Sequence, residues 1–261
     1  MKKKIMNQDV QSQWKQNLMH SDEYAAMYHS ENDMWWYKGL RNVLEYTLKN
    51  EKNKIIVDAG CGTGKNMELL KQLGHQVYGF DIAQEAVDFC HSRGLSTVQL
   101  GDITTVSYPN HFADIILSMD VLVLLQETEV DVFMQRCTEI LKPGGKLLIH
   151  VAALPWLFSQ HDIVCNVKRR YTRKTLKRML SYYPIFEIEK ISYRIFLLFP
   201  LVAGVKLVKK VVGRKKPKSD QGVPTKPLNF ILTQIQYFEN FLLRYVNLPW
   251  GSSLYVVARK K

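Results

Sequence analysis

The sequence is short of several things, and each shortage closes off a class of explanation. Its four cysteines, Cys61, Cys90, Cys137 and Cys165, form no CxxC pair and show no metal-ligand spacing. That argues against a disulfide scaffold and a metal site, and for a reducing, cytoplasmic setting. No apolar run approaches the roughly 20 residues that a bilayer-crossing helix needs. The basic start, Met1 to Lys4, is followed by no apolar segment, so it does not read as a secretory signal. Acidic residues are scarce in one region only. Residues 168 to 261 hold 21 Lys or Arg against 4 Asp or Glu, while residues 1 to 167 hold 15 against 20. The net charge of +12 therefore belongs wholly to the last third. Such asymmetry favours an anionic partner there, whether a membrane surface, a phosphate-bearing acceptor or nucleic acid. A solvated lysine-rich face is the plainer alternative.

What is present is enough for one substantial core: 261 residues, 46% of them hydrophobic. From Lys54 to Val151 strand and helix patterns alternate. Strands are expected at Ile55 to Ala59, Gln76 to Phe80, Thr97 to Leu100, Ala113 to Met119 and Lys146 to Val151. Helices are expected at Asn66 to Leu73, Gln84 to Arg93 and Val130 to Leu141. The alternation predicts a parallel sheet covered on both faces. Ligands of such sheets bind beyond the carboxyl ends of the strands, where Asp58, Asp81, Asp102 and Asp120 fall.

The turn DAGCGTGKN places Gly60, Gly62 and Gly64 at alternate positions between a strand and a helix. Glycine removes side chains where the backbone turns sharply and a ligand comes close, and the following helix offers unpaired N–H groups. The spacing is neither GxGxxG nor a phosphate loop ending in Gly-Lys-Ser/Thr. Asp81, about twenty residues on, is placed to accept two ribose hydroxyls. Asp102 in LGDI is placed to take an adenine amino proton, with the Ile103 amide beside it.

These motifs, VDAGCGTG, VYGFDIAQEAVDFC, LGDITTV, FADIILSMDVLVLL and LKPGGKLLIHV, resemble in order those of the class I S-adenosylmethionine-dependent methyltransferases. The resemblance implies an α/β, Rossmann-like, seven-stranded sheet with its last strand antiparallel. It implies S-adenosylmethionine as cofactor, with Asp58, Gly60 and Gly62 at its methionine part, Asp81 and Ile82 at the ribose, and Asp102 and Ile103 at the adenine. Met119 and Asp120 would lie near the transferred methyl, Asp120 on the acceptor's side.

Two further segments resemble a small-molecule, lipid-pathway branch of that family. ENDMWWYKGLRNVLEYTL reads as a lid helix, where Trp36 would face the sulfonium by cation–π attraction. SQHDIVCNVKRRYTRKTLKRML resembles a segment reading HD, then H-x-RRYT, but Val167 stands where its second histidine is expected. His161 suits a general base, with Tyr171 as the second catalytic candidate. Arg169 and Arg170 suit an anionic acceptor group.

Sequence organisation then predicts an N-terminal helical lid (1–53), a core (54–193), a helical insertion between the sixth and seventh strands (194–249) and a closing strand (250–261). The insertion reads as a membrane anchor, a substrate lid or a dimer surface. Within it Leu228, Ile231, Ile235, Phe238, Leu242 and Tyr245 form a helical stripe expected to pack on the domain, with membrane contact as the alternative. The function expected is methyl transfer to a small-molecule or lipid-like acceptor, with the inner face of an anionic membrane as a candidate place of work. An RNA-modifying enzyme and a non-catalytic, cofactor-binding recruitment module remain as alternatives, although no RNA-binding module is evident.

Overall fold

The computed structural model describes residues 21–103, 105–212 and 222–261. Residues 1–20 of the expected lid and the lysine-rich run at 213–221 lie outside them. The helices α1 (Ser21–Ser30) and α2 (Trp35–Leu48) precede the sheet. Strands β1 (Ile55–Ala59), β2 (Gln76–Asp81), β3 (Val98–Leu100) and β4 (Ala113–Met119) alternate with α3 (Lys65–Gln72) and α4 (Gln84–Ser92). Then come α5 (Glu127–Ile140), β5 (Leu141–Ala152), α6 (Gln160–Val164), α7 (Arg173–Ser181) and β6 (Phe186–Arg194). An excursion of two helices, α8 (Phe199–Val212) and α9 (Lys226–Leu243), leads to β7 (Ser253–Lys260).

The seven strands lie in the order β3-β2-β1-β4-β5-β7-β6, and β7 runs antiparallel to both β5 and β6. The parallel part is what the strand and helix alternation implied, and the antiparallel last strand is what the methyltransferase resemblance implied. Several boundaries differ for local reasons. A capping box between Gln126 and Glu129 starts α5 at Glu127, because reciprocal bonds satisfy N–H groups at the helix entry. Leu141 already pairs with Ala113, and an irregularity in register carries β5 past Pro143 and Gly144 to Lys146. The sixth strand runs on to Arg194, whose side chain is buried.

The excursion departs most from expectation. The expected stripe on α9 is not the packed one: Leu228, Ile231, Phe238 and Tyr245 are exposed, and Ile235 and Leu242 are half-buried. The buried face is Asn229, Leu232, Thr233, Gln236, Glu239, Asn240 and Leu243. Polar atoms supply the reason. Asn229 Oδ1 accepts from Trp35 N at 2.9 Å and its Nδ2 donates to Asp33 O at 2.7 Å. Asn240 Nδ2 donates to Gly39 O at 2.7 Å. Gly39 permits the approach, since a Cβ there would lie 3.1 Å from Gln236 Cβ. Glu239 accepts three consecutive backbone N–H groups, from Ile195, Phe196 and Leu197, at 2.6, 2.7 and 2.9 Å. The helix is held by directed bonds that an apolar periodicity cannot reveal.

Glu239→Ala should therefore cost about 3 kcal/mol, because buried donors lose their acceptor. Phe238→Ala, on the exposed neighbour, should cost under about 0.5 kcal/mol. Urea unfolding of the two variants checks this; equal losses would mean that α9 sits the other way round.

Candidate active site

Beyond the carboxyl ends of β1 to β4 lies a cavity of about 410 Å³, within the usual range for small-molecule sites. Strand-end loops contribute Gly60, Gly62, Asp81, Ile82, Asp102, Ile103, Met119 and Asp120 to its wall. The lid contributes Trp36, and the segment after β5 contributes His161, Asp162 and Arg170. Most of the residues singled out in the sequence thus converge on one space. Asp58, Arg169 and Tyr171 are not among its lining residues.

The glycine turn is built as its spacing suggests. Gly60 and Gly62 have φ of 74° and 54°, in the left-handed region that a side chain disfavours. A Cβ on Gly60 would come within 2.5 Å of Val121 Cγ2. Asp81 clamps the turn: its Oδ2 accepts from Gly62 N at 2.8 Å and its Oδ1 from Ala83 N at 3.0 Å. The Ile82 backbone N–H and the Tyr24 hydroxyl also bond to this carboxylate. Burial raises the Asp81 pKa, and the backbone hydrogen bonds only partly oppose it. Asp58 is buried beneath the turn, and neither of its oxygens has a hydrogen-bond partner. Burial, then the nearby Asp81 charge, pushes its carboxyl up to about 7. Two carboxylates near an open glycine turn, one of them with unspent acceptors, suit a ligand bearing positive charge and hydroxyls. That chemistry matches S-adenosylmethionine.

The lid is tied to the same turn. Glu31 is buried and accepts from Thr63 Oγ1 at 2.6 Å and from Arg93, whose Nε donates to Thr63 O at 2.8 Å.

Asp120 has φ of 61°, unusual for a residue with a side chain. Its Oδ2 lies 2.8 Å from His150 Nδ1, and His150 Nε2 lies 3.0 Å from an Arg194 terminal nitrogen. Guanidinium only donates, so His150 Nε2 accepts, and the ring proton sits on Nδ1 facing the carboxylate. Arg194, on β6, is wholly buried, which lowers its pKa, while Glu239, Tyr255 and Asp120 act to keep it charged. His150 and Arg194 were invisible as site residues in the sequence; a polar residue at each of two apolar strand ends was the only signal.

The segment after β5 is arranged differently from expectation. Arg170 lines the cavity, but its guanidinium is spent: Nε and Nη2 donate to Asp162 at 2.9 and 3.1 Å, and Nη1 donates to Ala153 O at 2.8 Å. Asp162 caps α6 through Ser159 and also pairs with Lys206 of α8 at 3.6 Å. Burial would raise its pKa, yet Lys206 and Arg170 hold the carboxyl below its usual range. Arg169 turns outward to Glu127 at 3.2 Å. The Tyr171 hydroxyl is buried and donates to Leu122 O at 3.3 Å, a structural place rather than a catalytic one. His161 keeps its place in the cavity wall, with Cys165 Sγ 3.7 Å from its ring nitrogens. In all, this segment is a buttress with one histidine facing the cavity.

Residues 57–149 match the methyltransferase domain family. Among curated relatives, a ubiquinone biosynthesis O-methyltransferase from Bradyrhizobium diazoefficiens is 32% identical over 105 residues, 39% of this chain and 41% of that protein. A tRNA (carboxymethyluridine(34)-5-O)-methyltransferase from Macaca fascicularis is 28% identical over 146 residues, 55% of this chain and 21% of that protein. The match thus spans about two fifths or less of these relatives' length. Among solved structures, the Burkholderia thailandensis 1,6-didemethyltoxoflavin-N1-methyltransferase, bound to 1,6-didemethyltoxoflavin and S-adenosylhomocysteine, is 15% identical. It superposes with a TM-score of 0.55 over 92% of this chain and 87% of that one, a likeness of fold. Together with the strand order and the glycine turn clamped by Asp81, these findings support a methyltransferase domain over residues 57–149 with the fold of class I S-adenosylmethionine-dependent methyltransferases.

Proposed function

We propose that the protein transfers a methyl group from S-adenosylmethionine to a small or lipid-like acceptor. One observation carries this reading: a single cavity joins the clamped glycine turn to Asp120 and His161. Asp81 and Ile82 hold the ribose, Asp102 and Ile103 the adenine, and Gly60 and Gly62 the methionine end, with Asp58 buried beneath that turn. S-adenosylmethionine supplies a methyl on a sulfonium, open to in-line displacement. The chain's own task is to hold the acceptor on axis and dry, which accounts for much of the rate in such reactions. Trp36 from α2 and Met119 from β4 both line the cavity and pack against one apolar cluster, which keeps this wall dry. Asp120, oriented by His150, positions the acceptor's donor group, and His161 takes the proton that the acceptor loses.

The relative acting in ubiquinone biosynthesis supports a small acceptor, and the largely apolar wall supports one with lipid character. A cytoplasmic protein working at the inner membrane face fits both. The basic last third and the tRNA-directed relative support an RNA acceptor as the second reading. Incubating extracts with labelled cofactor and identifying the labelled product by mass spectrometry decides between them. Absence of S-adenosylhomocysteine formation with every fraction would sink the enzyme reading and leave a cofactor-binding module.

Asp58 provides a test through pH. An unfolded aspartate titrates near 4, whereas the folded group does so at about 7. Between these values the folded state holds a proton that the unfolded chain releases, so stability falls as pH rises, by up to about 4 kcal/mol. Asp81, also raised, acts in the same direction. Stability of Asp58→Asn relative to the parent should thus improve steadily from about pH 4 to 7 without cofactor, while S-adenosylmethionine affinity falls. Thermal unfolding at several pH values, and calorimetric titration, check both; a pH-independent difference would remove the assignment.

His161→Ala should lower turnover about 100-fold, the usual scale of general-base catalysis, with cofactor affinity almost unchanged. Parent-like turnover across pH would make this histidine structural and leave Asp120 as the polar group at the acceptor.

A further inference from the structure

We propose that the outward faces of α8 and α9 form a docking surface for an anionic lipid bilayer. The observation is an inverted helix. On α9 the side chains of Gln236 and Glu239 are 0% exposed, while Phe230 is 64% and Phe238 56% exposed. Leu228, Ile231 and Phe241 are exposed beside them. Helix α8 behaves alike. Val202 packs with Leu198, Leu232 and Ile235, whereas Leu201, Val205, Leu207 and Val208 are turned out. Trp156, packed edge-on to Phe199, and Trp250, packed on Phe196, are each half exposed. Exposed large apolar side chains repeated along both helices mark an interaction site.

Two facts choose the occupant. No helix among the described residues is long and apolar enough to cross a membrane, so a bilayer would be met from the side, as amphipathic surface helices meet it. Residues 195 to 252 carry nine Lys or Arg and two Asp or Glu, and Glu239 is spent inside on backbone N–H groups. Apolar rows on a segment of such basic composition suit acyl chains beneath anionic headgroups. A second copy of the chain would instead bring like charge against like charge.

The surface also bears on the cavity. Ile195, Val202 and Lys206 line it together with Gly62 and Asp120. Helix α8 therefore has one side on the cavity and the other on the docking face. A lipid-like acceptor would pass from the bilayer past α8 without entering water, a point that rests on the methyl-transfer reading.

Co-sedimentation of the full chain with phosphatidylglycerol-containing vesicles and with phosphatidylcholine vesicles tests the surface. Binding to the anionic vesicles that weakens as salt rises, and at least about tenfold weaker binding to the neutral ones, is expected. The triple variant Phe230→Ser, Ile231→Ser, Phe238→Ser alters only exposed side chains. It should lose binding about tenfold or more while keeping the parent's thermal unfolding. The proposal is overturned if the parent binds neither vesicle, if the triple variant binds like the parent, or if sedimentation shows a parent dimer that the triple variant cannot form. Calorimetric titration of S-adenosylmethionine runs alongside. A parent that binds vesicles but no cofactor supports the surface and sinks the methyl-transfer reading; one that binds cofactor but no vesicles does the reverse.

Discussion

Glu239 accepting the N–H groups of Ile195, Phe196 and Leu197 is the contact on which the unusual half of this molecule depends. A carboxylate buried to that degree is costly unless every lone pair is used, and burial does raise its pKa against the pull of those bonds and of Arg194. The three N–H groups follow directly on the end of β6, where no strand partner remains for them. One side chain therefore both ends the strand and fixes α9 with its polar face inward. Arg194 is held next to that carboxylate's field, against His150, and His150 presents its proton to Asp120. An insertion that looks peripheral in the sequence thus reaches Asp120 in the cavity wall through four residues.

The cofactor side was legible in the sequence because its requirements are local. A turn that needs positive φ needs glycine, and Gly60, Gly62 and Gly64 all adopt it. Aspartates at the ends of successive parallel strands meet in space because the sheet brings strand ends together, as Asp81 and Asp102 do. The acceptor side was less legible because its groups are set by long-range pairing. His150 and Arg194 stand on different strands separated by β7, and no spacing rule links them. Arg170 and Tyr171 have the residue types of a binding site, yet Asp162 and the Leu122 carbonyl claim their donors.

The error over α9 has a physical cause worth separating from these. A periodicity of apolar residues locates an amphipathic face, and the inference that this face meets the core assumes that the other face meets water. Here the other face carries Asn229 and Glu239, which satisfy backbone groups at the start of α2 and after β6, Asn240, which donates to the Gly39 carbonyl within α2, and Gln236, which faces Arg194. Polar side chains of that kind stabilise only when buried partners await them, and the partners lie on α2 and after β6. The stripe was read correctly as a stripe. Its direction depended on what the remainder of the chain offered.

The same bonds join the lid to the insertion. Asn229 holds the first N–H of α2 at Trp35 and the carbonyl of Asp33, and Asn240 holds the Gly39 carbonyl. Trp35 and Trp36 meanwhile pack with Ile195, Leu198 and Leu232. Lid and insertion, separate in the sequence by almost the whole core, therefore share one polar seam and one apolar cluster. Any movement that opens the cavity between α2 and α8 must either break those buried hydrogen bonds or carry α9 along. Breaking them leaves donors and acceptors unpaired, each at a cost of about 1 to 3 kcal/mol, and parting the helices also exposes the shared apolar cluster to water. Concerted movement keeps them intact, so the outward face of α9 and the lid over the cofactor move as one body.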